Sequence, residues 1–353
     1  MIVNERLREI DIVRGITIFL VVLGHTGAAE VSEGLVSEIL RGFRMPLFFM
    51  VSGYLFSSSK YLGNTKKLVI DKTRTLIIPY ISFCFLSAGI WILLLILNKQ
   101  EIAWGQPLIG MLYGNGNWIV ENTPIWFLVC LFSAFIIFNI ILKISIRLSL
   151  LSKTVLFIVL GVIGYGVSRI IWMPWSFDIA LVALLFMYIG NILKEKRILY
   201  NHKMMLTLTS ISLCMFIAVL IFNVPADMNN RVYGNVFLFY IGGISGSLLI
   251  LFISKYLLTK VKLIYSVLSY LGRQSILILG LHFSVGFYFA DWLAYLTRLN
   301  SSLFIASIAI SISLLMGLAI DRIPIFSFLF KGTTISVVKI SPISQQSMLK
   351  QVK

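Results

Sequence analysis

The sequence predicts an all-α, polytopic integral membrane protein, a bundle of about ten transmembrane helices, on three observations. Hydrophobic residues make up 59% of the 353 residues and charged ones only 12%, where a soluble globular chain carries about 25% charged residues, and the mean hydropathy is +0.95. The apolar residues gather in runs, most of them long enough to cross a bilayer core, which takes about 20 residues of helix. Most of the 30 lysines and arginines fall in every second connection between those runs.

Taken in order, the runs cover 10–29, 43–58, 76–97, 124–142, 154–172, 178–193, 204–222, 234–254, 273–291 and 303–320. The first is interrupted by Arg14 and closes on His25. The second is short and opens on Met45-Pro46, so it reads as tilted, broken or re-entrant, with a helix break at the proline. The sixth is short as well. Gly242, Gly243 and Gly246 in the eighth read as close helix packing rather than a phosphate loop, because no Lys or Ser/Thr follows in the required register. Cys84, Cys130 and Cys214 all lie within runs and show no metal-ligand spacing, so neither a metal nor a bound cofactor is expected. The connection 98–123 mixes Gly105, Pro107, Gly110, Gly114 and Gly116 with Trp104, Tyr113 and Trp118. It is too aromatic for a flexible linker and reads as a partly ordered lid over the bundle.

The basic residues orient the chain. If the N-terminus is cytoplasmic, the inward segments hold Lys66, Lys67, Lys72, Arg74, Lys194, Lys196, Arg197, Lys260 and Lys262 among others, and the outward side few. The positive-inside rule therefore puts both termini in the cytoplasm and the protein in the cell (inner) membrane. The net charge of +16 is spread over these loops rather than along one soluble face, which excludes nucleic acid as a partner and leaves membrane lipids. The first run is not a cleavable signal peptide, since Arg14 sits inside it and no small-residue cleavage site follows. Residues 1–331 form the membrane domain. The basic tail 332–353 is expected to be disordered or to lie on the anionic inner leaflet.

The chemistry gathers around Arg14 and His25. Eleven residues make about three turns of helix, so both side chains leave one face about 16 Å apart, and ionisable groups within a span face a bundle interior or a wet cavity. Two function classes fit such a site: a membrane-embedded transferase, or a transporter or flippase of a lipid-linked saccharide. The second would be favoured by an inverted repeat, and the Arg14–His25 segment has no counterpart in the second half of the chain.

The string RLREIDIVRGITIFLVVLGH at 6–25, followed by FRMPLFFMVSGYLF at 43–56 and KTRTLIIPY at 72–80, resembles the membrane acyltransferase-3 family, and within it the branch related to fucose 4-O-acetylases. PIWFLVCLF at 124–132 and SYLGRQSILILGLH at 269–282 match weaker later blocks in the right order. The resemblance implies an O-acyltransferase that takes acetyl from cytoplasmic acetyl-CoA and gives it to a sugar of a surface polysaccharide or lipid-linked glycan. A polysaccharide-synthesis complex or a homo-oligomer is a compatible partner.

On that footing His25 is expected to be the general base on the acceptor hydroxyl, imidazole being the side chain best matched to neutral pH. Arg14, Lys72 and Arg74 are expected to bind the donor phosphates. The family's commoner pattern has two basic residues three apart before the proline, and here Asp71 takes the earlier position, so Lys72 either substitutes or is an ordinary inner-face anchor. His282 and Ser275, seven residues apart and on one helix face, read as a second site group or as helix-bridging polar residues. Asp11 is expected to pair with Arg14. Trp126 and Phe127 fit an aromatic belt at the outer interface, a reading that ranks above sugar stacking, although aromatic platforms also suit sugars.

Overall fold

The computed structural model describes residues 8–26, 35–222 and 226–333. Among them no strand forms, and one isolated antiparallel bridge joins Asp227 to Val232. The helices of eight or more residues among them are α1 (Arg8–Leu23), α2 (Leu35–Leu55), α3 (Thr65–Leu97), α4 (Gly105–Tyr113), α5 (Thr123–Ile144), α6 (Leu150–Ser168), α7 (Pro174–Glu195), α8 (His202–Ile221), α9 (Val236–Lys260), α10 (Lys262–Arg273), α11 (Ser275–Thr297), α12 (Ser302–Asp321) and α13 (Pro324–Lys331). Eight of them, α3, α5 to α9, α11 and α12, are long and apolar enough to cross a membrane. The chain is thus a multi-pass helical membrane protein. Helix α1, at 16 residues, is shorter than that measure, and α2 carries Glu38, Arg41 and Arg44 in its first half. The tail expected beyond 332 lies outside the described residues from 334 onward.

Several starts are set by side-chain caps. Ser149, Asn201, Asn235 and Ser301 each accept a backbone N–H from the first turn of α6, α8, α9 and α12, which satisfies donors that a helix start leaves open. Helices α5 and α7 are mostly buried, whereas α6 and α8 are mostly exposed. The exposed faces of α6 and α8 carry Val155, Ile158, Val159, Ile211, Met215 and Ile217, as suits helices whose outer solvent is lipid.

Hydrocarbon gives no hydrophobic drive to helix association, so close packing through small residues has to supply it. Two reciprocal glycine crossings do this. A Cβ on Gly53 would lie 1.9 Å from the Met187 carbonyl oxygen and one on Gly190 1.9 Å from that of Met50, which locks α2 to α7. Likewise Gly15 meets the Leu268 carbonyl and Gly272 that of Asp11, each at 1.9 Å, which locks α1 to α10. The packing reading of the eighth run also holds, with Gly243 against Phe186 and Pro46, and Gly246 against Phe43 and Phe216.

Three expectations change. The second run is not short or broken: α2 continues through Pro46 for 21 residues. Proline removes one N–H from the ladder, but its ring packs over Gly243, where a Cβ would lie 3.0 Å from Pro46 Cβ, and the charged residues at 38, 41 and 44 hid the helix's first turns. The inward segment before the ninth run is not loop but the amphipathic helix α10, too short and too polar at its ends to read as a span. His25 lies in a turn just past α1, its N–H donating to the Val22 carbonyl (3.0 Å), rather than within a continuous helix.

The 98–123 connection is tied down as α4 and its flanking turns. Tyr80 Oη donates to the Met111 carbonyl (2.8 Å) and Trp175 Nε1 to that of Leu112 (3.0 Å). Gly114 ends α4 at φ +70°, a left-handed geometry that favours glycine.

Candidate active site

The α1–α10 crossing at Gly15 and Gly272 determines where Arg14 points. Three residues after Gly272 comes Ser275, and Arg14 donates from Nη2 to Ser275 Oγ at 2.8 Å. Asp11 is buried at the same crossing, with its carbonyl against Gly272. Arg14 and Ser275 line a cavity of about 470 Å³ at the end that carries the basic loops, together with Lys72, Arg273, Gln274 and Lys331. Its walls hold four cations and no carboxylate. Lys72 lies with Nζ 3.6 Å from the centre of the Phe135 ring, and Lys331 is bound to both oxygens of Asp321 at 2.6 and 2.7 Å. Gln274 contributes a buried Oε1 with no protein partner.

Arg74 is not among the lining residues. It sits in the π-helical turn Thr73–Ile77, its Nε buried without a protein partner and its carbonyl against Gly332. The π turn adds a residue to the helix and so rotates Arg74 relative to Lys72. Asp71 is bound by Lys60 Nζ at 2.6 Å and by Tyr61 Oη at 3.1 Å, and that hydrogen bond to Asp71 raises the Lys60 ammonium pKa above its ordinary value. Lys60 thereby offsets the Asp71 charge locally, and Asp71 is not among the residues that line the cavity.

At the opposite end, His25 lines two openings. One, of about 350 Å³, is formed with Gly24, Arg44, Asn117, Trp126, Asp227, Asn229, Asn230 and Phe283. The other, of about 240 Å³, includes Glu121, Phe287, Tyr288 and Asp291. Arg44 is buried with its guanidinium against Gly24: a Cβ there would lie 1.6 Å from Nη1, so glycine before His25 is what admits the arginine. Trp126 is only 4% exposed. It and the buried Phe127 therefore do not form a lipid-facing belt, because both rings turn into the bundle.

His282 stands between the two ends. It is fully buried, at the start of the π-helical turn His282–Gly286, and its ring centre lies 5.8 Å from that of His25. Its Nδ1 is 2.8 Å from the Ile278 carbonyl oxygen, while Nε2 has no protein hydrogen-bond partner. The 98–123 connection reaches this level, since Asn122 Nδ2 donates to the Gly280 carbonyl at 2.9 Å.

A buried polar network missed by sequence reasoning frames the second end. Arg231, 2% exposed, donates from Nε to Asp178 Oδ2 (2.9 Å), from Nη2 to Asn115 Oδ1 (2.9 Å) and from Nη1 to the Asn229 carbonyl (2.6 Å), and its guanidinium lies over Trp172. It joins three stretches remote in the chain, at Asn115, at Trp172 and Asp178, and at Asn229 and Arg231, so only the fold assembles it. Arg44, by contrast, had a signal: an arginine between Phe43 and Met45 in an otherwise apolar block. Among the described residues no cluster of His, Cys, Asp or Glu could hold a metal.

The helical membrane bundle thus has a cationic cavity at one end and an amide-lined one at the other, with His25 on the wall of the second and His282 in ring contact with His25. The chain belongs to the acyltransferase-3 family: the family's acyltransferase domain matches residues 7–320. It is a membrane acyltransferase. Comparison with curated proteins and with solved structures gave no significant match.

Proposed function

We propose that the protein moves an acetyl group from cytoplasmic acetyl-CoA to a sugar hydroxyl of a surface polysaccharide or lipid-linked glycan, with the basic end facing the cytoplasm. The observation that carries this reading is the pair of unlike cavities, one lined by Arg14 and Ser275 and the other by His25, with His282 buried next to His25. The basic cavity suits a polyphosphate nucleotide, because Arg14, Lys72 and Arg273 line it beside the Asp321-bound Lys331, and such a concentration of cations raises the local anion concentration. Arg14, held by Ser275, and Lys72 are its phosphate ligands; Gln274 offers an acceptor to the amides of a pantetheine arm. Arg74, off the cavity wall, serves at most as part of the field. The other cavity suits a sugar: Asn117, Asn229, Asn230 and Asp227 present the paired donors and acceptors that hydroxyls need, and Trp126 a flat apolar face. His25 there takes the hydroxyl proton, and Arg44 sets a positive charge beside the oxygen on which negative charge develops.

The test of this reading is the O-acetyl content of surface glycan, by mass and proton NMR, from a strain lacking the gene. Loss of O-acetyl groups that the intact gene restores is expected, and unchanged content would overturn the sugar acceptor. Arg14→Ala, in the purified protein, is expected to raise the KM for acetyl-CoA about ten- to a hundredfold, the worth of a charged hydrogen bond, with the acceptor KM unaltered. An unchanged donor KM would remove Arg14 from the donor site.

Asn229 can be moved without touching it. A Cβ on Gly116 would lie 2.3 Å from Asn229 Oδ1 and 2.8 Å from its Cγ, so Gly116→Ala displaces that amide from the cavity wall. Loss of one hydrogen bond costs about 1 kcal/mol, so a roughly fivefold rise in acceptor KM at constant acetyl-CoA KM is expected. Steady-state kinetics with varied acceptor check it, and an unchanged acceptor KM would dismiss Asn229.

A further inference from the structure

We propose that His282, rather than His25, carries the acyl group across the gap between the two cavities, as a transient acyl-imidazolium on Nε2; this rests on acetyl-CoA being the donor. Three observations point to it. The Ile278 carbonyl can only accept, so Nδ1 at 2.8 Å from it holds the ring hydrogen and Nε2 holds a free lone pair. That Nε2 is buried and has no protein partner, whereas a histidine kept for helix bridging would use both nitrogens. And His282 follows Ser275 by seven residues on one face, about 10 Å further along the helix from the cavity that holds Arg14, with His25 next to it on the far side.

The two half-reactions balance. Nε2 attacks the thioester carbonyl, the carbon–nitrogen bond forms, the carbon–sulfur bond breaks, and CoA leaves as its thiolate with the electron pair. Nδ1 keeps its hydrogen on the Ile278 carbonyl, so the carrier is an acyl-imidazolium. In the second step the sugar hydroxyl attacks the same carbonyl, His25 takes the hydroxyl proton, and the carbon–nitrogen bond breaks with its pair returning to Nε2. Such an intermediate is readily hydrolysed and survives only where water is excluded. His282 is wholly buried, with the Phe283 and Phe287 rings centred 6.2 and 5.5 Å away. The arrangement also divides the labour: the donor never has to reach the acceptor cavity.

Exchange of isotopically labelled free CoA into acetyl-CoA, without any acceptor, reads the first half-reaction alone. The purified full-length protein is expected to exchange label, and His25→Ala to go on exchanging although its transfer of acetyl to glycan falls at least about a hundredfold. His282→Gln is expected to lose exchange at least a hundredfold. Mass-spectrometric mapping of rapidly quenched His25→Ala protein, which needs no His282 variant to fold, is expected to find acetyl on the peptide that contains His282. A wild-type protein that acetylates glycan but exchanges no CoA overturns the relay and leaves the donor reading standing; one that does neither overturns both. Exchange by His282→Gln at the wild-type rate, or acetyl on His25 in the wild type, also overturns it.

Discussion

Replacing His25 with alanine is expected to lower acetyl transfer to the glycan at least about a hundredfold while changing the KM for acetyl-CoA little. General-base catalysis contributes about 10² to 10⁴ in rate, and His25 lines both openings at the acceptor end but not the cationic cavity. The loss therefore falls on turnover, as it does for an interaction made only in the transition state. Arg44 and the cavity walls remain in the variant, so residual activity stands above the uncatalysed rate. Steady-state kinetics of the purified variant in lipid nanodiscs measure it. Retention of more than about a tenth of wild-type turnover is too much for a protein deprived of its essential base.

The second large effect concerns stability. Asp178→Ala is expected to destabilise the protein by about 3–5 kcal/mol, because it leaves the Arg231 guanidinium buried without its carboxylate. Asp178 is wholly buried and Arg231 nearly so, and the pair also anchors Asn115 and the Asn229 carbonyl. Removing both charges together, in Asp178→Leu with Arg231→Met, is expected to recover much of that loss, since replacing a buried pair by apolar groups of similar size is often close to neutral. The double variant still frees the 226–233 turn, so its acceptor KM rises even where its unfolding midpoint returns. Thermal unfolding in detergent alongside acceptor kinetics separates the two effects; a single variant as stable as the wild type would mean that the pair is dispensable.

How far the site was legible follows from which forces act along the chain and which act across it. Arg14 and His25 stood out because a charge inside an apolar run is costly enough to need a reason, and Ser275 and His282 because seven residues bring two side chains to one helix face. Lys72 and Arg74 were read as equals, and the π turn at Thr73–Ile77 separated them. A one-residue change in helical winding leaves no mark in composition or periodicity. The sequence reads Trp126 as facing lipid, because an aromatic at a span end looks the same whichever way it faces; in the structure it turns inward onto a cavity.

By itself, then, the sequence determined that this is a helical, multi-pass membrane protein, that its family chemistry is acyl transfer, and that an arginine and a histidine interrupt or close its first apolar run. Those properties follow from the cost of charge and bare backbone in hydrocarbon, which acts on each segment separately. The tertiary structure decided that Arg14 is gripped by Ser275, that His282 comes to 5.8 Å from His25, that Arg44 fills the space left by Gly24, and that Asp178 and Arg231 clasp the connections at the end away from the basic cavity. Each of these joins residues remote in the chain through packing at glycine crossings or through a buried charge seeking its partner. Such contacts exist only once the helices have chosen their neighbours.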